Sequence, residues 1–164
     1  MKKQIIIING TGGSGKDTFV ELTKKYAKVV NFSSIDKVKE IAKVIGWDGS
    51  KNEKDRKFLS DLKRLTTEYN DMSFNNIKLA VKEFNNSDNE IMFIHIREPE
   101  EIERTVKIFK AKTLLVRRIG LANITSNYSD ANVEDYNYDY IIENSTIENL
   151  DNQASKLVDK LKKH

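Results

Sequence analysis

The chain has 164 residues, 38% hydrophobic and 32% charged, with a formal net charge of +3 and no cysteine. This composition predicts one soluble domain with a core of its own, and no apolar run is long enough to span a membrane. The small, interspersed charge argues against a nucleic-acid binder, and the missing cysteines exclude disulfides and thiolate metal sites. We expect a cytoplasmic protein, because the apolar run after Met1–Gln4 is too short for a signal peptide.

A strand, a glycine-rich loop and a helix follow one another at the start of the chain. The β-branched run Ile5–Ile8 is typical of a parallel strand covered on both faces. Helical spacing of Phe19, Leu22 and Tyr26 predicts a first helix over 17–27. The loop therefore lies between a buried strand and a helix, which is the context that a phosphate-binding loop requires.

The loop matches G-x-x-x-x-G-K at Gly10, Gly15 and Lys16, but Asp17 stands where Ser or Thr is expected and Thr18 follows it. Glycines let backbone N–H groups approach an anion, and the next helix points its positive end at the same place. The Lys16 ammonium can reach the outer phosphates. The sequence thus predicts a nucleotide-phosphate site made of Gly10, Gly12, Gly13, Ser14, Gly15, Lys16, Asp17 and Thr18.

A short strand and three helices are predicted next. The strand covers 28–32, and the helices cover 35–45, about 53–68 and about 74–84. Together the helices form a predicted insertion over about 36–84 on the acceptor side. The residues expected to face inward are Ile35, Val38, Ile41, Ala42, Ile45, Phe58, Leu59, Leu62, Leu65, Ile77, Val81 and Phe84.

The second half of the chain continues the alternation. Strands are predicted at 91–96, 113–116 and 139–143, with a helix opening at Pro99 and a last helix opened by a capping box that begins at Ser145. That last helix is expected to bury Ile147, Leu150, Ala154, Leu157 and Leu161. We therefore predict a single α/β domain over 1–164, a three-layer P-loop fold with a five-stranded, mainly parallel sheet and a short lid at about 118–137.

Size and motif content favour a small kinase. The sequence lacks an Asn-Lys-x-Asp element for guanine, and it is short for a motor or transport ATPase. An insertion after the second strand and a polar segment after the fourth suit an enzyme that brings two phosphate-bearing substrates together and excludes water.

Several segments resemble the deoxynucleoside monophosphate kinases of phage type and the related phosphomevalonate kinases. These segments are Gly15–Thr18, Asn31–Ala42, Ile94–Ile102 and Tyr138–Asn144. The resemblance covers most of the chain, although only the first motif is individually specific. It implies a place beside adenine for Asn144 and an acceptor-phosphate contact for Arg56.

The chain departs from that family at a strand end. An Asp-x-Arg is expected there, but the sequence reads His95-Ile96-Arg97. A carboxylate at this position commonly orders Mg²⁺, so Asp17 or Thr18 is the expected metal ligand instead. For His95 we favour a packed side chain over a catalytic base, because the sequence shows no partner for it.

Arginines are the residues to examine at a phosphoryl-transfer site, because their planar fork pairs with phosphate oxygens. Arg97 follows a central strand, where ligands gather in α/β sheets. Arg117 or Arg118 either contacts the lid or is a solvated charge. Asp36 either orients the acceptor or caps its helix.

The working hypothesis is a kinase that uses ATP and Mg²⁺ to phosphorylate a nucleoside or deoxynucleoside monophosphate. Lys16, Arg97 and Arg117 are its expected catalytic residues, and Asp36, Arg56 and Arg97 its expected acceptor contacts. We expect neither a nucleic-acid nor a membrane partner. Two alternatives stay open: a kinase of another phosphorylated metabolite, such as dephospho-coenzyme A or phosphomevalonate, and a nucleotide-binding protein with little turnover.

Overall fold

The computed structural model describes residues 1–120 and 132–163. These residues form a five-stranded parallel sheet with the strand order β2-β3-β1-β4-β5. The strands are β1 (Gln4–Asn9), β2 (Val29–Ser33), β3 (Ile91–His95), β4 (Lys112–Arg118) and β5 (Tyr140–Asn144). The helices are α1 (Lys16–Thr23), α2 (Asp36–Ile45), α3 (Glu53–Asn70), α4 (Met72–Asn86), α5 (Pro99–Phe109) and α6 (Ile147–Lys162), with a short 3₁₀ helix at Val133–Asp135. The predicted five-stranded α/β fold is confirmed.

The central strand β1 is covered on both faces. Ile6 and Ile8 pack in one core cluster with residues of α1 and α6, whereas Ile7, on the opposite face of the strand, is also fully buried. Alternate residues of a strand point to opposite faces. An uninterrupted apolar run was therefore needed at this position, as the sequence predicted.

The chain divides into two compact units, one of Met1–Asn31 with Phe84–His164 and one of Phe32–Glu83. In the second unit, α2 and α3 are in contact. Helix α3 has no buried residue, and Leu65, predicted to face inward, is 54% exposed. Ile45, the last residue of α2, is 64% exposed, so its predicted burial was also wrong.

Helix ends differ from the predictions at two places. Helix α1 stops at Thr23, and a turn replaces its expected last four residues. The N-cap of α6 is Thr146 rather than Ser145: the Thr146 side chain accepts a hydrogen bond from the Asn149 N–H at 3.1 Å. Ile147, predicted to be buried, is consequently the first residue of the helix and is 70% exposed.

The predicted lid at about 118–137 falls largely on residues 121–131, which lie outside the described residues. Within the described ranges, the helices are either too short or too polar to cross a bilayer.

Lys3, the residue before β1, binds the backbone at and just after the C-terminal end of α4. Its ammonium donates to the carbonyl oxygens of Phe84, Ser87 and Asn89 at 2.9, 2.7 and 2.6 Å, and it lies 4.6 Å from the centre of the Phe84 ring. A cation at this position satisfies carbonyls that lack helical partners.

Replacing Lys3 by methionine is expected to lower the free energy of unfolding by about 1–3 kcal/mol, because hydrogen bonds to a charged donor are lost while the apolar stem is kept. Urea denaturation measures the change. The matched control is Lys2→Met, which alters an exposed side chain. An equal effect of both substitutions would show that the three carbonyl contacts contribute nothing.

Candidate nucleotide-binding site

The glycine loop between β1 and α1 has a backbone that only glycine accommodates at two points. Gly10 has φ 154° and Gly15 has φ 101°. A Cβ at Gly10 would overlap the Val116 carbonyl oxygen and the Ser14 hydroxyl, and a Cβ at Gly15 would overlap the Asn144 side-chain amide. The motif glycines are therefore required both by dihedral angle and by space.

Lys16, the first residue of α1, folds back over the loop. Its ammonium donates to the carbonyl oxygens of Gly10 at 2.6 Å and Thr11 at 3.0 Å. The cation is thus held at the mouth of the loop, beside the N-terminal end of α1. Both features favour an anion at this place.

Asn144, at the end of β5, contacts the loop directly. Its amide donates to the Ser14 carbonyl oxygen at 3.0 Å, and its side chain lies against Gly15. Strand pairing places Asn144 opposite Arg118 of β4. Asn144 thus contacts the glycine loop at Ser14 and Gly15, and its place beside adenine stays a prediction.

A cleft of about 500 Å³ opens beside the loop. Its lining combines one edge of the loop with Arg118 of β4 and with the turn from β5 into α6; the lining residues are Gly13–Thr18, Arg118, Asn144–Ile147 and Leu150. The exposed Ile147 side chain is an apolar wall of this cleft. The volume of the cleft lies within the range of small-molecule sites in proteins.

Arg117 and Arg118 have different surroundings, as neighbours in a strand point to opposite faces. Arg117 donates through Nε and Nη2 to both carboxylate oxygens of Glu134, at 2.9 and 2.5 Å, and its Nη1 lies 3.8 Å from a Glu143 oxygen. The hydrogen bond from Arg117 lowers the pKa of Glu134. Arg118 instead lines the cleft and lies 3.4 Å from the Gly13 carbonyl oxygen.

His95 lies next to the loop, because β3 pairs with β1 and places His95 opposite Ile8. Its Nε2 is 2.7 Å from the Asn31 side-chain oxygen, to which the Nε2–H tautomer donates. The same nitrogen is 3.9 Å from an oxygen of Asp17. The sequence showed no partner for this histidine, whereas the fold brings Asn31 and Asp17 to it.

Asp17 and Thr18, the predicted metal ligands, lie exposed on the first turn of α1. The Asp17 side chain is 89% exposed, and within residues 1–120 and 132–163 no three acidic, histidine or cysteine side chains are grouped to hold a metal ion. Mg²⁺ favours oxygen ligands, keeps several waters and often binds through one or two carboxylates plus substrate phosphates. The donor set therefore fits Mg²⁺ that arrives with a nucleotide.

The predicted acceptor contacts belong to different units. Asp36 and Arg56 belong to the Phe32–Glu83 unit, and Arg97 to the other. The Asp36 carboxylate accepts a hydrogen bond from the Ser33 N–H at 2.9 Å, which caps the turn before α2. Arg56 and Arg97 are exposed. Their acceptor roles stay predictions.

Sequence reasoning missed three polar residues around the loop. Asn9 and Tyr138 are hydrogen-bonded to each other at the loop's entrance, and Asn31 holds His95. Asn9 ends β1, whereas Asn31 lies in the middle of β2. The sequence offered little signal for these residues, because their hydrogen-bond partners are more than 60 positions away.

The fold resembles that of several solved structures. It matches TT1252 from Thermus thermophilus with a TM-score of 0.59 and 18% identity, covering 98% of both chains. The thymidylate kinase of Ehrlichia chaffeensis gives 0.49 and 12%, covering 96% of this chain and 100% of that one. The APS kinase CysC of Mycobacterium tuberculosis gives 0.47 and 14%, covering 98% of both.

No family model matches the chain, and no curated protein matches it. At 18% identity, the likeness to TT1252 establishes the fold and no activity. The parallel sheet and the glycine loop between β1 and α1 together give this protein the three-layer α/β P-loop fold.

Proposed function

We propose that the protein is an ATP-dependent phosphotransferase whose acceptor is a nucleoside or deoxynucleoside monophosphate. The observation that carries the proposal is the position of Lys16, held at the mouth of a glycine loop that opens onto the cleft of about 500 Å³. The loop suits the phosphates of the donor. The cleft, with Ile147 on its wall, suits the remainder of the donor nucleotide.

In this proposal, transfer depends on positioning and electrostatics, without a covalent enzyme intermediate. Lys16 and the loop N–H groups stabilise the negative charge of the transferring phosphoryl group. Mg²⁺, when bound, neutralises charge on the phosphates, and Asp17 and Thr18 are the residues that hold it. Arg97, after β3, is the proposed cation for the acceptor.

The contacts of the two arginines of β4 support different proposed roles for them. Arg117 already has a bidentate carboxylate partner in Glu134, so we assign it an anchoring role for the Val133–Asp135 helix. Arg118 faces the cleft and is the better candidate for contact with the donor nucleotide.

Arg118→Met is expected to weaken ATP binding about tenfold or more, because a charge-assisted contact to the nucleotide is removed. Arg117→Met, the matched substitution on the same strand, is expected to lower stability and to leave ATP affinity within about twofold. Isothermal titration calorimetry at a temperature at which both variants are folded measures the affinities. The opposite pattern would return the nucleotide contact to Arg117.

The activity is tested by ADP release from ATP and Mg²⁺ with a panel of ribo- and deoxyribonucleoside monophosphates. Turnover that depends on one of these acceptors is expected. Silence across the panel, with turnover on dephospho-coenzyme A or phosphomevalonate, would instead identify a metabolite kinase.

A nucleotide-binding protein with little turnover is the second candidate. Two observations favour it: an imidazole stands at the end of β3 where a carboxylate commonly orders the metal, and Arg117 is engaged by Glu134. A rise in melting temperature that follows ATP concentration, without turnover on any acceptor, would establish this candidate.

A further inference from the structure

Two side chains that the proposed mechanism does not use meet at the entrance of the phosphate loop. Asn9 is the last residue of β1 and is 1% exposed, and Tyr138 precedes β5. The Asn9 amide donates to the Tyr138 hydroxyl oxygen at 3.0 Å across 129 positions of sequence. A polar side chain buried this deeply is costly unless its hydrogen bonds are made.

The remaining groups of the pair are also engaged. The Tyr138 hydroxyl donates to the Val133 carbonyl oxygen at 2.8 Å, in the 3₁₀ helix. The Asn9 side-chain oxygen accepts from the Gly10 N–H at 2.9 Å. Gly10 in turn offers its carbonyl oxygen to the Lys16 ammonium at 2.6 Å. Successive hydrogen bonds therefore connect Val133, Tyr138, Asn9, Gly10 and Lys16.

The Tyr138 hydroxyl is suited to be a hydrogen-bond donor at every pH near neutrality. Burial raises the pKa of its phenol to about 12, so the hydroxyl keeps its proton at neutral pH. The rings of Tyr136 and Tyr138 pack edge to face, with their centres 5.2 Å apart.

We propose that Asn9 and Tyr138 are positioning residues that hold the first turn of the phosphate loop, and with it Lys16, in the conformation that binds the donor nucleotide. Gly10 has φ 154° and no side chain that could restrict its backbone, so contacts from other residues must hold it in this conformation. The Asn9 oxygen fixes the Gly10 N–H, and Tyr138 fixes the orientation of the Asn9 amide. The inference rests on the proposed nucleotide binding at this loop.

Tyr138→Phe tests the proposal, because it removes the hydroxyl and keeps the ring. ATP affinity, measured by calorimetry well below the melting temperature, is expected to fall about two- to tenfold, the equivalent of one hydrogen bond. Tyr136→Phe is the matched control: it removes a hydroxyl from the adjacent tyrosine, and ATP affinity is expected to stay unchanged. Unchanged affinity in Tyr138→Phe would overturn the positioning role.

Asn9→Ala extends the test to the second member of the pair. If Tyr138 acts through Asn9, the double variant Asn9→Ala with Tyr138→Phe binds ATP as weakly as Asn9→Ala alone. Effects that add would show that the two residues act independently and would overturn the pairing. Should Asn9→Ala fail to fold, Tyr138→Phe still decides the proposal.

A readout without ATP separates this inference from the proposed function. Tyr138→Phe is expected to speed amide hydrogen exchange at Gly10, measured by NMR, whereas Lys3→Met, which lowers stability elsewhere, should leave Gly10 exchange unchanged under native conditions. If the unsubstituted protein binds no ATP, the proposed function fails. Unchanged Gly10 exchange in Tyr138→Phe would contradict the positioning contact itself.

Discussion

Substitution of Lys16 by methionine is expected to reduce kcat/KM for ATP by at least about 10²–10³, because the cation at the mouth of the loop is removed while the apolar stem is retained. Lys16 is the only basic residue of the loop. Hydrogen bonds to the carbonyl oxygens of Gly10 and Thr11 hold its ammonium at the mouth of the loop. Steady-state ADP release with the active acceptor measures the loss.

Thermal denaturation with increasing ATP gives a second measurement that does not depend on an acceptor. Wild-type protein should gain melting temperature by mass action, and the Lys16→Met protein should gain little. Lys24→Met is the matched control, since Lys24 follows the same helix and pairs with the exposed Glu21 at 2.6 Å. Full ATP stabilisation in Lys16→Met would contradict a nucleotide site at this loop.

The second large effect is expected at Gly15. Alanine there is predicted to lower the free energy of unfolding by about 2–4 kcal/mol: about 1–2 kcal/mol for a left-handed backbone with a Cβ, and the rest from the overlap with Asn144. The displaced Asn144 amide would also lose its bond to the Ser14 carbonyl oxygen. ATP affinity should fall with stability, as the loop changes shape.

Gly13→Ala is the control for this substitution. Gly13 shares the loop and a positive φ of 75°, but a Cβ there would meet nothing within 4 Å. Gly13→Ala should therefore lower the free energy of unfolding only by the cost of a left-handed backbone with a Cβ, about 1–2 kcal/mol. Urea denaturation of the two variants measures the difference, and equal losses would show that the contact between Gly15 and Asn144 contributes nothing.

Several parts of the site were predictable because they depend on neighbouring residues. Gly10, Gly15 and Lys16 form a spaced motif, and the apolar run Ile5–Ile8 before it marks a strand buried on both faces. Pro99 marked the start of α5 in the same way, because its fixed φ suits the first turn of a helix.

Other parts depend on which strands become neighbours, and no local pattern contains that information. His95 acquires Asn31 and Asp17 as partners only because β3 lies beside β1 and β2 in the sheet. Likewise, Glu134 becomes a bidentate partner of Arg117 only in the folded chain. Ile147 is exposed because α6 begins at this residue, beside the cleft.

The sequence by itself determined the fold class, the glycine loop and Lys16, since periodicity and spacing act within a few residues. Only the tertiary structure decided that Arg118 faces the cleft, that Asn144 supports Gly15, and that Asn9 joins Tyr138. These contacts connect residues more than 100 positions apart. They form only when the strands and helices pack together in the folded chain.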